Sequence, residues 1–122
     1  MLESFQSLVK RWTHSCFGSE IAKDQKERNH RFFEEATELV QSKGMTREEA
    51  HALVDYTYNR PVGEPEQEVG GTMITLAALC NASEIDMMRQ GWIELHRINT
   101  PENVKKIRAK QAAKPKFIPL PE

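Results

Sequence analysis

The stretch that most strongly constrains the fold is residues 31–40, which reads Arg31-Phe32-Phe33-Glu34-Glu35-Ala36-Thr37-Glu38-Leu39-Val40. Its apolar residues recur at spacings of three and four, which is typical of an amphipathic α-helix. A helix turns by about 100° per residue, so Glu34, Glu35 and Glu38 fall on one flank of it. The stretch therefore predicts a helix with an apolar side and a carboxylate-rich flank.

The same spacing continues on the N-terminal side, and alternating β-branched runs that would indicate strands do not occur. Apolar residues from Leu2 to Cys16 predict a first helix that ends near Phe17-Gly18. The carboxylate-bearing helix is the second. It begins between Ser19 and Asp24, where Asp24 with Glu27 resembles a capping box, and it stops at Gly44.

Four further helices are predicted on the C-terminal side. Thr46 and Glu49 form a capping box for a third helix that reaches about Asn59, and Pro65 occupies the first turn of a fourth helix that reaches about Asn81. The fourth is apolar almost all round, which predicts a position at the centre of a bundle or in a subunit interface. Ser83 is expected to cap a fifth helix, and Thr100 a basic sixth helix that runs to about Ala113.

These helices predict an all-α protein that folds as a compact bundle of five to six helices. A chain of 122 residues is the size of one domain, expected over 1–113, and three prolines make 114–122 an extended tail. The longest apolar stretch, 73–80, is too short to span a membrane, and no targeting signal is visible, so a cytoplasmic protein is expected. Cys16 and Cys80 lack metal-ligand spacing and are expected to be buried, reduced thiols.

The formal net charge of −1 conceals an uneven distribution of acidic and basic residues. Residues 34–68 carry nine acids and three bases, whereas residues 97–122 carry seven bases and two acids. An acidic cluster attracts hard cations and a basic segment attracts phosphates, although two solvated helix faces would have the same composition.

Carboxylates three or four residues apart repel each other by roughly 0.2–0.5 kcal/mol per pair unless a cation lies between them. Glu68 adds a further carboxylate in the first turns of the apolar fourth helix. Two helices that present carboxylates to each other form the kind of oxygen-ligand site that Mg²⁺ prefers. The alternatives are a solvated flank on the second helix and, for Glu68, an acid that interacts with the helix dipole.

The order of these motifs resembles a known family. Glu34-Glu35-Ala36-Thr37-Glu38, a loop, and then Glu68-Val69-Gly70-Gly71 at the start of an apolar helix look like the all-α nucleoside triphosphate pyrophosphohydrolases of the MazG-like superfamily, whose pattern is EExxE followed by ExxD. The resemblance covers about residues 28–97. It implies that Glu35, Glu38 and Glu68 bind magnesium, and that Glu34 orients water or a neighbouring ligand.

This chain departs from the family pattern at Gly71, where the family has the aspartate of ExxD. Asp55, Glu64 and Glu66 are candidate substitutes for the missing carboxylate. Gly70 and Gly71 favour either tight helix packing or a close approach of the backbone to a ligand. The family's reaction would also require cations for the substrate phosphates. The last helix offers Lys105, Lys106, Arg108 and Lys110, with Arg97 before it.

The leading functional hypothesis is a magnesium-dependent pyrophosphohydrolase that converts a nucleoside triphosphate to the monophosphate and pyrophosphate, with Glu38 or Glu34 accepting a proton from water. A homodimer or higher homo-oligomer is expected because the fourth helix is so apolar. One alternative is a relative that binds nucleotides without turnover. The other is a helical module whose basic helix and Pro-rich tail bind a partner or nucleic acid. No basic stripe interleaved with aromatic residues occurs, so nucleic acid is not the expected partner.

Overall fold

The structure is a computed structural model that describes residues 3–114, and within them the chain forms six α-helices and no strand. The predicted all-α class is therefore confirmed. None of these helices combines the length and apolar character needed to cross a membrane. The predicted tail, apart from Lys114, lies outside the described residues. The helices are α1 (Phe5–Lys23), α2 (Gln25–Ser42), α3 (Arg47–Tyr58), α4 (Pro65–Ala82), α5 (Met87–Ile98) and α6 (Pro101–Ala112).

Several helix ends follow from local capping chemistry, as the sequence predicts. Thr46 and Glu49 form the reciprocal capping box of α3. The Thr100 hydroxyl accepts a hydrogen bond from the Asn103 N–H at the start of α6. Gly44 has a φ of 93°, a left-handed conformation that glycine adopts without strain, and it stops the chain from continuing α2.

The predicted end of the first helix at Phe17-Gly18 coincides with a break in α1, and a short helical segment follows that break. Gly18 has φ 80° and ψ 165°, so the helical geometry breaks there and resumes up to Lys23. Arg108 of α6 donates hydrogen bonds to the carbonyl oxygens of Ser15 and Cys16 just before the break. Carbonyls at a helix end lack partners within the helix, so Arg108 replaces the bonds that the break removes.

The predicted cap of α5 is wrong. Ser83 instead ends α4, because its N–H still donates to the carbonyls of Leu79 and Cys80. Glu84 then takes a left-handed φ of 56° and turns the chain. The Asp86 carboxylate accepts a hydrogen bond from the Arg89 N–H and caps α5 three residues later than expected.

The chain divides into two compact units, of which the first comprises Met1–Glu35 and Gly91–Glu122. Within this unit α1 packs along α6. Trp12 Nε1 donates a hydrogen bond to the carbonyl oxygen of Ile98 at 3.2 Å, and the rings of Phe5 and Trp92 meet edge to face with centroids 5.1 Å apart. The first unit is therefore held together by contacts between distant parts of the sequence.

The second unit comprises Ala36–Gln90 and contains all of α3 and α4. Val69, Met73 and Ile74 of α4 are 60 to 71% exposed, so the described chain does not bury this apolar helix at the centre of a bundle. Among residues 3–114 the buried class contains Cys80 of this unit with Cys16 and Leu95 of the first. Both cysteines are free and buried, as predicted, and burial raises the pKa of the Cys16 thiol.

Candidate functional site

The carboxylates of α2 stand on a helix with well-defined ends. The Asp24 carboxylate accepts a hydrogen bond from the Glu27 N–H at 3.2 Å, and Gly44 follows the last turn. Glu34, Glu35 and Glu38 therefore lie within continuous helix, where residues three and four apart are neighbours on one flank. The predicted carboxylate-rich flank of this helix is present.

Glu34 differs from the other two carboxylates because the protein supplies its counter-charge. Lys114, which follows α6, donates a hydrogen bond to Glu34 Oε1, and Arg31 Nη1 lies 3.6 Å from the same oxygen. The hydrogen bond from Lys114 lowers the pKa of Glu34 below its usual range, and the charges of Lys114, Arg31 and Lys110 contribute in the same direction. Glu34 is thus an ionised carboxylate inside a basic cluster.

Glu35 and Glu38 are exposed, and no residue within 3–114 forms an ion pair with either. Glu35 belongs to the first unit and Glu38 to the second. A carboxylate without a protein cation remains available to an external one. Glu34 therefore differs from Glu35 and Glu38, the two predicted metal ligands on this helix, in having a positively charged partner within the protein.

Glu68 lies in the first turns of α4, beside the loop that joins α3 to α4. Its N–H donates to the Glu64 carbonyl at 2.9 Å, which fixes the first turn of the helix. Its side chain lies over Gly63, where an added Cβ would stand 2.5 Å from Glu68 Oε1. Glu68 also lines a cavity of about 380 Å³ in the second unit, together with Tyr58 and Arg60. Glycine at position 63 is thus what makes room for this carboxylate.

Gly71 occupies the position of the aspartate in the ExxD pattern, and the space around it is open. A Cβ added at Gly70 or Gly71 would meet no described atom within 4 Å. Tight helix packing at these glycines, one of the two predicted explanations for them, is therefore absent from the described chain. The candidate substitutes Asp55, Glu64 and Glu66 are all exposed.

The basic residues of α6 have different environments. Lys105 is exposed, and Lys106 Nζ lies 3.5 Å from Glu102 Oε1 in an exposed pair. Arg108 Nε donates to the Cys16 carbonyl at 3.1 Å, so its guanidinium is committed to the backbone of α1. The cations at the carboxylate helix are instead Lys110 and Lys114. Lys110 is among the cations predicted for phosphate, whereas the sequence places Lys114 only in the tail, because its contact with Glu34 spans eighty residues.

The candidate metal ligands are all carboxylates, and carboxylate oxygens are ligands that Mg²⁺ prefers. Within residues 3–114, however, no three His, Cys, Asp or Glu side chains form a group that could hold a metal ion. The described chain supplies suitable ligands without assembling them.

No protein-family model matches the chain, and searches of curated proteins and of solved structures returned no match either.

Proposed function

We propose that the protein is a magnesium-dependent nucleoside triphosphate pyrophosphohydrolase of the MazG-like type. The observation that supports this most directly is the difference between carboxylates on α2: Glu34 is paired with Lys114 and Arg31, whereas Glu35 and Glu38 are exposed without a described cation. Like charges left beside each other in this way favour a cation from solution.

In this proposal Glu35, Glu38 and Glu68 hold the metal. Mg²⁺ would neutralise phosphate charge and increase the acidity of the attacking water. Glu38 accepts the proton that water loses as its oxygen bonds to the α-phosphorus. The anhydride bond between the α- and β-phosphates breaks, and pyrophosphate leaves with the electron pair. Glu34 orients its neighbours rather than binding the metal, because its Oε1 is already engaged by Lys114 and Arg31.

The decisive experiment incubates the full chain with Mg²⁺ and a panel of nucleoside triphosphates, and measures monophosphate and pyrophosphate together. We expect turnover of at least one substrate, a loss of about a hundredfold or more in Glu38→Ala, and unchanged turnover in Glu20→Gln, which alters an exposed acid of α1. A Glu38→Ala protein with full activity would contradict the assigned role, and release of pyrophosphate from no substrate would contradict the enzyme.

Gly71 favours a second candidate, a relative that binds nucleotides without turnover, since it lacks the fourth carboxylate. Calorimetry with nonhydrolysable triphosphate analogues separates the two candidates. Binding without product formation from the parent nucleotides would identify the non-catalytic relative.

We further propose that the chain functions as a homodimer or higher homo-oligomer. Phe32 of α2 is 60% exposed, and Val69, Met73 and Ile74 leave apolar surface along α4. Extensive apolar surface of this kind is characteristic of obligate interfaces between copies. Sedimentation of wild type and Ile74→Lys tests the proposal: we expect an oligomer that the charged side chain dissociates, with Lys10→Glu on α1 as the control. A monomeric wild type would contradict it.

A further inference from the structure

The contact between Lys114 and Glu34 joins the end of α6 to the carboxylate helix within the first unit. The ammonium group hydrogen-bonds Glu34 Oε1, and the two side chains are 20% and 31% exposed, respectively. The pair is therefore partly shielded, yet a ligand from solution can still reach it.

A second polar contact between the same two parts of the chain lies close to Lys114. Gln111, one helical turn earlier, donates a hydrogen bond to Glu27 Oε1, and Arg31 Nε lies 3.3 Å from the same oxygen. Glu27 and Glu34 stand two turns apart on α2, so the last turn of α6 and the residue Lys114 beyond it contact that helix at two points. These contacts restrain Lys114, which limits the entropy it would lose on binding a ligand.

The hydrogen-bonding capacity of this lysine is not exhausted by Glu34. An ammonium group carries three N–H donors, and within residues 3–114 Glu34 is the acceptor that it contacts. Arg28, Arg31, Lys110 and Lys114 supply four positive charges around the three carboxylates Asp24, Glu27 and Glu34. One positive charge is left over, which favours an anion at the remaining donors.

We propose that Lys114, positioned by Glu34, binds a phosphate oxygen of an oligophosphate through its remaining N–H donors. The identification of this oligophosphate as the triphosphate of a nucleotide rests on the proposed function. Lysine binds phosphate as a point charge and needs no paired geometry, so one ammonium can bridge a carboxylate and a phosphate. Glu34 is then a positioning residue for Lys114. Glu34 itself directly precedes the candidate metal ligand Glu35 in the sequence.

The test is calorimetric titration of the full chain with inorganic tripolyphosphate, with and without Mg²⁺. We expect wild type to bind, Lys114→Gln to bind roughly ten- to a hundredfold more weakly, and Lys10→Gln on α1 to match wild type within about twofold. Equal affinity of Lys114→Gln and wild type would overturn the proposal, as would a wild type that does not bind tripolyphosphate.

Two measurements separate phosphate binding from a purely structural effect. Lys114→Arg retains the charge and is expected to keep most of the affinity, and Lys114→Gln is expected to show a weaker dependence of affinity on salt concentration. An arginine variant as weak as the glutamine variant, with an unchanged salt dependence in both, would overturn the proposal.

The turnover assay described above distinguishes this inference from the proposed function. Tripolyphosphate binding that depends on Lys114, in a protein that releases no pyrophosphate, supports the phosphate site and contradicts the enzyme. Turnover in a protein whose Lys114→Gln variant binds normally supports the enzyme and overturns the role of Lys114.

Discussion

Arg108 Nε donates a hydrogen bond to the carbonyl oxygen of Cys16 at 3.1 Å, and its Nη2 donates to Ser15. The two carbonyls precede Gly18, where α1 loses its helical geometry. A residue of the basic segment thus acts as the C-terminal cap of a helix more than ninety positions away, where its positive charge is also favoured by the helix dipole.

Because of this contact we expect Arg108→Ala to lower the free energy of unfolding by about 1–2 kcal/mol, measured by urea denaturation. The matched control is Lys106→Ala, which removes an exposed pair with Glu102 and is expected to cost about 0.5 kcal/mol or less. Equal stability of the two variants would show that the carbonyls of α1 are satisfied without Arg108.

Gly71→Asp is expected to increase the affinity for Mg²⁺, by about tenfold, because it adds a carboxylate where the structure has open space. Gly71→Asn is the matched control, since it adds nearly the same volume without the charge. Calorimetric titration with MgCl₂ gives both affinities. Identical Mg²⁺ binding by the two variants would count against a metal site at this end of α4.

Gly63→Ala is expected to weaken Mg²⁺ binding while leaving stability nearly unchanged. The added Cβ would stand 2.5 Å from Glu68 Oε1, and the flexible end of the glutamate can move away at little energetic cost. Val62→Ala is the control, because the Val62 side chain is fully exposed. Thermal unfolding and Mg²⁺ titration measure the two quantities separately. Unaltered metal affinity in Gly63→Ala would exclude this orientation of Glu68 from the binding-competent state.

The ion pair of Glu34 and Lys114 predicts a specific dependence of stability on pH. The hydrogen bond from Lys114 lowers the pKa of Glu34 from its ordinary 4.5 in the folded state. A depressed folded-state pKa stabilises the fold above pH 4.5, and this contribution is lost as the pH falls through the folded-state value. Glu34→Gln should therefore reduce stability at neutral pH and flatten its decline in acid.

A double-mutant cycle with Lys114→Gln checks this prediction by urea denaturation at neutral pH and at a pH below the lowered folded-state pKa of Glu34. The two substitutions should be non-additive at neutral pH and closer to additive in acid, since protonation of Glu34 removes the ionic part of their interaction. Additive effects at both pH values would show that the pair contributes nothing to folded-state stability.

Much of the helical structure could be predicted because its signals are local. The Thr46 and Glu49 box, Thr100 and Gly44 each act within a few residues, so spacing alone reveals them. Ser83 misled the prediction because a serine can equally end one helix or begin the next. That choice depended on how far the hydrogen bonds of α4 continued.

The environments of the charged residues could not be predicted in the same way. The sequence groups Arg108 and Lys110 in one basic segment, and Glu34 and Glu35 in one acidic motif. The fold commits Arg108 to backbone carbonyls and brings Lys110 and Lys114 to Glu34, while Glu35 stays exposed. Such differences arise from contacts between distant residues, which no spacing pattern records.

By itself, the sequence determined the all-α class, most helix ends and the flank on which the α2 carboxylates stand, because periodicity and capping are properties of neighbouring residues. The tertiary structure decided which carboxylate is neutralised and which lysine neutralises it. Those outcomes depend on how α6 packs along α1 and reaches α2, and therefore on contacts such as that between Trp12 and Ile98. Identical side chains thus acquire different chemistry only once the helices are in place.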